Sequence, residues 1–438
     1  MRIADVSAFQ IFDSRGNPTV EAEVLLASGA RGRGLVPSGA STGSHEAWEF
    51  RDGDPRKFRG KSVARAVQHV NGEIARALTG REAHDQAEID HLLIELDGTP
   101  NKSRLGGNAI LAVSMAVANA IAAERGRLLF ESLGNGTLLP LPEIQIIGGG
   151  AHADHRLDVQ DFLVIATGAQ TYAEALEISF NVYHAAKEIL KERKQFYGVA
   201  DEGGFWPEFS TNEEPLKLLV DAIQCAGYAP VKQAAISLDI AASDLFDKAT
   251  GKYLFAREDK EFSSEQFLDL MLEWCERYPV ISLEDPFAQT DWASWKQIAL
   301  EVAGKVQLVG DDLFCTNLQL IQKGIEEGAA TAVLIKPNQI GTVTETLAAI
   351  ELTQKAGWRS IISARSGETE DTFVSHLAVA TDAGQLKVGS FARGERTAKW
   401  NELLRIERAL ARRARFLGAG IFSLADHASQ RPPLSGPP

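Results

Sequence analysis

A chain of 438 residues exceeds one ordinary compact domain and points to two, one of them large enough to be a barrel. Its 45% hydrophobic and 24% charged residues are those of a soluble globular protein with ample material for a core. A net charge of −14 excludes broad nucleic-acid binding, yet it leaves room for a locally cationic site and a small anionic substrate.

The opening stretch, MRIADVSAFQIFDSRGN, lacks the charged-then-apolar layout of a secretory signal. No apolar run is read as approaching the roughly 18–20 uncharged residues of a membrane span, so no membrane is expected as a partner. Residues 1–26 read as short strands, with alternation in TVEAEV, and residues 61–79 and 108–124 read as helices. These elements form an N-terminal α+β capping domain, 1–138, closed by the Gly/Pro/Leu hinge GNGTLLPLPE. From 139 to 422, short apolar runs alternate with amphipathic stretches: AAISLDI, PVISLED, VQLVGDD, TAVLIK, RSIIS and QLKVG. That rhythm implies parallel strands in an α/β (β/α) barrel, with an open doubly wound sheet as the alternative, because period alone does not show closure. Residues 423–438 are Pro/Ser-rich and read as a disordered tail. Cys225, Cys275 and Cys315 form no CxxC pair, and the expectation is free, buried thiols in the cytoplasm.

The six runs end in charges: Asp239, Glu284 and Asp311, then Lys336, Arg365 and Lys387. Strands that merely stop on reaching solvent would account for one or two of these, not for six segregated by sign. In a closed barrel such ends converge on one mouth. Three carboxylates without His or Cys make a hard, all-oxygen site suited to Mg²⁺ rather than Zn²⁺. Opposite, Arg365, Ser366 and Gly367 offer a guanidinium fork, a hydroxyl and close backbone approach, all suited to phosphate. The substrate class is therefore a small phosphorylated carboxylate. A lysine beside Mg²⁺ and a second lysine has its pKa pushed down and becomes a base at neutral pH.

The stretches DSRGNPTVEAEV, PSGASTGSHEAWEFRDGD, LDGTPNKSRLGGNAILAVSMAVANA, DEGGFWP, SLEDPFAQTDWASW, VGDDLFCTN, LIKPNQIGTVTET, RSGETEDTF and NELLRIE resemble the enolase (phosphopyruvate hydratase) family over nearly the whole chain. The resemblance implies two Mg²⁺ per active site. Asp239, Glu284 and Asp311 would hold the first, and Ser41, in a mobile loop that closes over the substrate, the second. It implies Lys336 as the base, Glu202 as the acid that assists hydroxide loss, and Asp161 beside them. Lys387 would meet the substrate carboxylate, Arg365 with Ser366 the phosphate, and His152 the phosphate side. It also implies a homodimer with DSRGNPT and NELLRIE near the interface.

The same motifs depart from the family at particular points. Ala364 replaces a histidine, Asp161 a glutamate and Gly148 an asparagine, while Ala200 and Trp206 flank Glu202; Pro337, Val388 and Gly394 also differ. Because the metal and clamp residues are kept, these changes lead to an expectation of altered chemistry on the hydroxyl-leaving side. The particular expectation is a specialised paralogue resembling carboxyphosphonoenolpyruvate synthase of phosphinate antibiotic biosynthesis, with a nucleotide-activated second substrate in a site enlarged at Ala364 and Gly148. The alternative is ordinary phosphopyruvate hydratase.

Overall fold

Strand β1 (Ile3–Phe12) and the alternating β2 (Pro18–Leu26) pair antiparallel, and β3 (Arg31–Leu35) completes a three-stranded sheet in this computed structural model, which describes residues 1–423. The sheet packs on the helix Gly107–Glu124. Contact there is so close that a Cβ at Gly32 would stand 2.1 Å from the Ala116 carbonyl, and one at Gly34 would stand 2.2 Å from that of Ala112. The reading that no apolar run approaches membrane length is corrected here. This helix is long and apolar enough, but 83% of its 18-residue window is buried inside the protein, as in a core helix. The helix read over 61–79 runs from Ala64 to Leu78 with a π turn at Val70–Ile74, and a further helix, Gln86–Asp97, was not foreseen.

Beyond the hinge, eight strands close into a barrel. They are β4 (Leu141–Gly148), β5 (Asp161–Ile165), β6 (Ala235–Asp239), then, after the small ribbon β7 (Phe246–Asp247), β8 (Lys252–Phe255) and β9 (Lys260–Phe262), β10 (Val280–Glu284), β11 (Gln307–Gly310), β12 (Ala332–Ile335), β13 (Arg359–Ser363) and β14 (Gly384–Gly389). All six apolar runs become barrel strands. The all-parallel expectation is corrected: β5 runs antiparallel to both β4 and β6. Only the loop 149–160 joins β4 to β5, and a connection without a crossover helix returns the chain in the opposite direction. Residues 424–438 of the Pro/Ser-rich tail lie outside the described residues. Of the cysteines, Cys315 is buried but Cys225 is exposed; none forms a disulfide among the described residues.

The barrel interior is partly polar. Gln385 Nε2 donates to Gln307 Oε1 at 2.9 Å, Gln307 Nε2 to Ser282 Oγ at 3.0 Å, and Ser237 Oγ to Glu143 Oε2 at 3.0 Å. Glu143 Oε1 has no hydrogen-bond partner, and burial raises this carboxyl from 4.5 to about 7, with Lys387 and Ser237 opposing. A carboxyl raised in the folded state contributes stability that is complete below the unfolded pKa and lost as pH rises through the folded value. The gap from 4.5 to about 7 corresponds to of order 3 kcal/mol. Glu143→Gln is therefore expected to gain more stability at pH 8 than at pH 5, measured by denaturant unfolding at both; an equal change at both would sink the assignment.

Candidate active site

At the mouth, β6 and β10 end on Asp239 and Glu284, which lie in register, and Asp311 follows the last residue of β11. All three are buried. Lys387 Nζ stands 2.7 Å from both Asp239 Oδ2 and Glu284 Oε2, while Lys336 Nζ bonds Asp311 Oδ2. Gln160 Nε2 donates to Asp239 Oδ2 at 3.0 Å, and Gln339 Nε2 to Asp311 Oδ1 at 2.8 Å. Glu284 Oε1 is buried without a partner. Burial, and then the neighbouring Asp239, pushes the Glu284 carboxyl well above its usual range. An orphaned oxygen in an all-oxygen carboxylate set fits a hard divalent cation.

The lowered lysine pKa was expected beside Mg²⁺; with the carboxylates alone as neighbours the balance runs the other way. Burial opposes the Lys336 ammonium most strongly, yet Asp311 and Glu284 together more than offset it, and the pKa is raised rather than lowered. Lys387 is raised further, with Asp239 and Glu284 overcoming burial. Both lysines serve as counter-ions to the carboxylates. A depressed Lys336 pKa requires a divalent cation to neutralise Asp311 first.

On the other wall, Arg365 is 3% exposed and donates to Glu46 at 2.9 and 3.2 Å, to Asn338 Oδ1 at 2.9 Å and to the Ser41 carbonyl at 3.0 Å. Ser366 Oγ accepts from Arg15 at 3.3 Å, and Arg396 holds the carbonyls of Arg365 and Ser366 at 2.6 Å each. Arg15, Glu46 and Arg396 were not foreseen as site residues. For Arg15 and Glu46 the signal was a charge inside a matched motif, which does not say what the charge faces; Arg396 lies outside the matched stretches. Ser41 joins Gly39 and Ala40 over a small cavity of about 20 Å³ whose other walls include His152, Asp161, Glu202, Lys336, Ala364 and Lys387.

His152 lies in the single turn Gly150–Ala153, its Nδ1 at 3.5 Å from Asp161 Oδ1 and 3.9 Å from Glu202 Oε1. Burial opposes its charge, but Asp161 and then Glu202 raise its pKa. Glu202 is lowered: burial opposes its charge, but His152, Arg396, Lys387 and Lys336 together more than offset it. Asp161 moves the other way, burial raising its carboxyl against His152. Of the two histidines at 152 and 155, His152 faces the two carboxylates, and His155 lines a separate hollow with Asp158, Asp244 and Arg257.

The departures read differently in three dimensions. Gly148 does not enlarge the site: a Cβ there would stand 2.6 Å from Ala200 Cβ, so Gly148 and Ala200 are two halves of one packing arrangement. Gly148→Ala is expected to cost about 1–3 kcal/mol by overpacking. Adding Ala200→Gly should return most of it; unfolding curves showing no recovery would refute the coupling. Trp206 does not crowd Glu202 from within the cavity. Its ring lies 4.7 Å from the Arg156 guanidinium and is absent from the cavity lining. Pro337, Val388 and Gly394 also lie outside that lining. Only Ala364 and Asp161 change the cavity wall itself.

Fold and site together define a barrel enzyme that uses carboxylates, lysines and a divalent cation on a small anionic substrate. The sequence matches the family model "Enolase, N-terminal domain" over residues 3–133 and "Enolase, C-terminal TIM barrel domain" over 136–424. It is 52% identical over 427 residues to "Enolase 1" of Desulfitobacterium hafniense (strain Y51), covering 97% of this chain and 98% of that protein. The chain belongs to the enolase family, its activity is that of a carbon–oxygen lyase, and its cofactor is Mg²⁺. The expectation of a carboxyphosphonoenolpyruvate synthase in antibiotic biosynthesis is overturned by this full-length identity to an enolase. Nothing supports a nucleotide-activated second substrate or a transferase reaction.

Proposed function

We propose that the protein is a phosphopyruvate hydratase, converting 2-phosphoglycerate to phosphoenolpyruvate and water. The observation that carries this reading is the convergence on one small cavity of Lys336, Lys387 and Asp239 with the His152–Asp161–Glu202 group. Arg365 with Ser366 receives the phosphate, exchanging Glu46 for it, and Lys387 orients the substrate carboxylate. Asp239, Glu284 and Asp311 would hold one Mg²⁺ and Ser41 a second, and these ions would supply Lewis-acid neutralisation of the substrate's carboxylate charge. Lys336 Nζ, in its neutral form, takes the α-proton; the C–H electron pair expels hydroxide from C3, and His152 passes a proton through Glu202 that converts the departing hydroxide to water. Closure of the Gly39–Ser41 segment excludes bulk water. The capping part, to 138, supplies this segment, and the barrel, from 139, supplies the reacting groups.

The test is direct: purified protein with Mg²⁺ and 2-phosphoglycerate should generate the enol absorbance of phosphoenolpyruvate, and none forming would reject the reading. The proposal includes a cytoplasmic homodimer. Free cysteines suit a reducing compartment. Phe9, Phe12 and Phe58 are about half exposed, with the Phe12 and Phe58 rings 5.8 Å apart, which suits a surface covered by a second copy. Sedimentation at micromolar concentration should give the dimer mass, and a monomer alone would count against it.

A further inference from the structure

One side chain ties the strand carrying Asp161 to the turn carrying Glu202. Gln145, on β4, is fully buried. Its Nε2 donates to Asp161 Oδ1, and its Oε1 accepts the Gly204 N–H at 2.7 Å. The amide lies flat against the turn, for a Cβ at Gly204 would stand 2.6 Å from its oxygen and 2.9 Å from its Cγ. These partners allow one amide orientation only, since the flipped form would set oxygen against carboxylate and NH₂ against N–H. Beyond Gln145, Asp161 Oδ2 and His152 Nδ1 are buried without hydrogen-bond partners and face the cavity group. Asp161 thus has its Oδ1 held from behind, with Oδ2 at 3.9 Å from Lys387 Nζ.

We propose that Gln145 is a positioning residue for hydroxide loss: its carboxamide sets the Asp161 carboxylate and the Glu202 turn at a fixed spacing around His152. The inference rests on the hydratase reading. It explains how a carboxylate one methylene shorter than the family's glutamate is kept in place, where a displacement near 1 Å costs about 10²-fold in rate. A glutamine that merely filled buried polar space would affect stability and all steps alike. The Gln145 amide bonds Asp161 and Gly204 and makes no hydrogen bond to Lys336, which takes the α-proton, so the two half-reactions should separate.

Gln145→Met keeps length and approximate volume while removing both hydrogen bonds. Phosphoenolpyruvate formation is expected to fall about 10²-fold. Exchange of the 2-phosphoglycerate α-proton with solvent deuterium, followed by NMR, should stay within about threefold of wild type. Gln145→Asn and Asp161→Glu should each impair formation alone, the first by losing reach and the second by colliding with the amide. Together they move one methylene across the contact and should recover formation to within about fivefold of wild type. These variants also carry the test if Gln145→Met does not fold. Formation by Gln145→Met within threefold of wild type, a parallel fall of exchange and formation, or a double variant no better than its poorer single would each overturn the inference. Wild-type protein that forms no phosphoenolpyruvate removes the hydratase reading and the inference together. Wild-type turnover with an unimpaired Gln145→Met variant removes the inference alone.

Discussion

Lys336→Ala is expected to abolish α-proton exchange and to lower phosphoenolpyruvate formation by about 10⁴-fold, the upper range for loss of a general base. Both fall because proton removal precedes hydroxide loss, and no other amine is placed to replace it. Lys387, the nearest alternative, is held between Asp239 and Glu284 at 2.7 Å from each and has its ammonium form strongly favoured. Binding should respond differently. Lys336 Nζ bonds Asp311 Oδ2, so it competes with any cation for that oxygen. Removing it should leave Mg²⁺ affinity unchanged or tighter, and calorimetry separates this from a collapsed site. Persistent exchange in Lys336→Ala would reject Lys336 as the base.

The second large effect concerns Glu284, on the strand between those carrying Asp239 and Asp311. Glu284→Gln is expected to weaken Mg²⁺ binding by more than about 10²-fold, because disturbing groups behind a ligand already costs 10–100-fold. Turnover should be lost with it. Stability without metal should be unchanged or higher, since the native carboxyl is buried beside Asp239, and its pKa is raised well above the usual range. The amide oxygen can still accept from Lys387. Loss of function with no loss of stability is the signature of a charge kept for binding rather than folding. An unchanged Mg²⁺ isotherm would remove Glu284 from the ligand set.

The Gly148–Ala200 pair and the Gln145 contact show how substitutions that look like a pattern along the chain resolve into local packing. Five departures around Glu202 suggest altered chemistry when read in order. In space, two of them compensate each other, Trp206 stands outside the cavity lining, and Asp161 is held by a glutamine that matched no motif.

The sequence by itself determined the alternation of apolar runs with amphipathic segments, the charge at the end of each of six strands, and the hard, oxygen-only donor set. Each depends on local periodicity or on a residue's own chemistry, so no partner need be known. Closure into eight strands was decided only by tertiary structure, because β4 and β5 lack the helical crossover that marks the other strands. The reversal of β5 puts its first residue, Asp161, at the mouth, where a reading of strand ends does not look. The partner of Lys336 was decided there too: in sequence it stands among cations, but in the fold its Nζ bonds Asp311, and Coulomb energy depends on distance in space rather than along the chain.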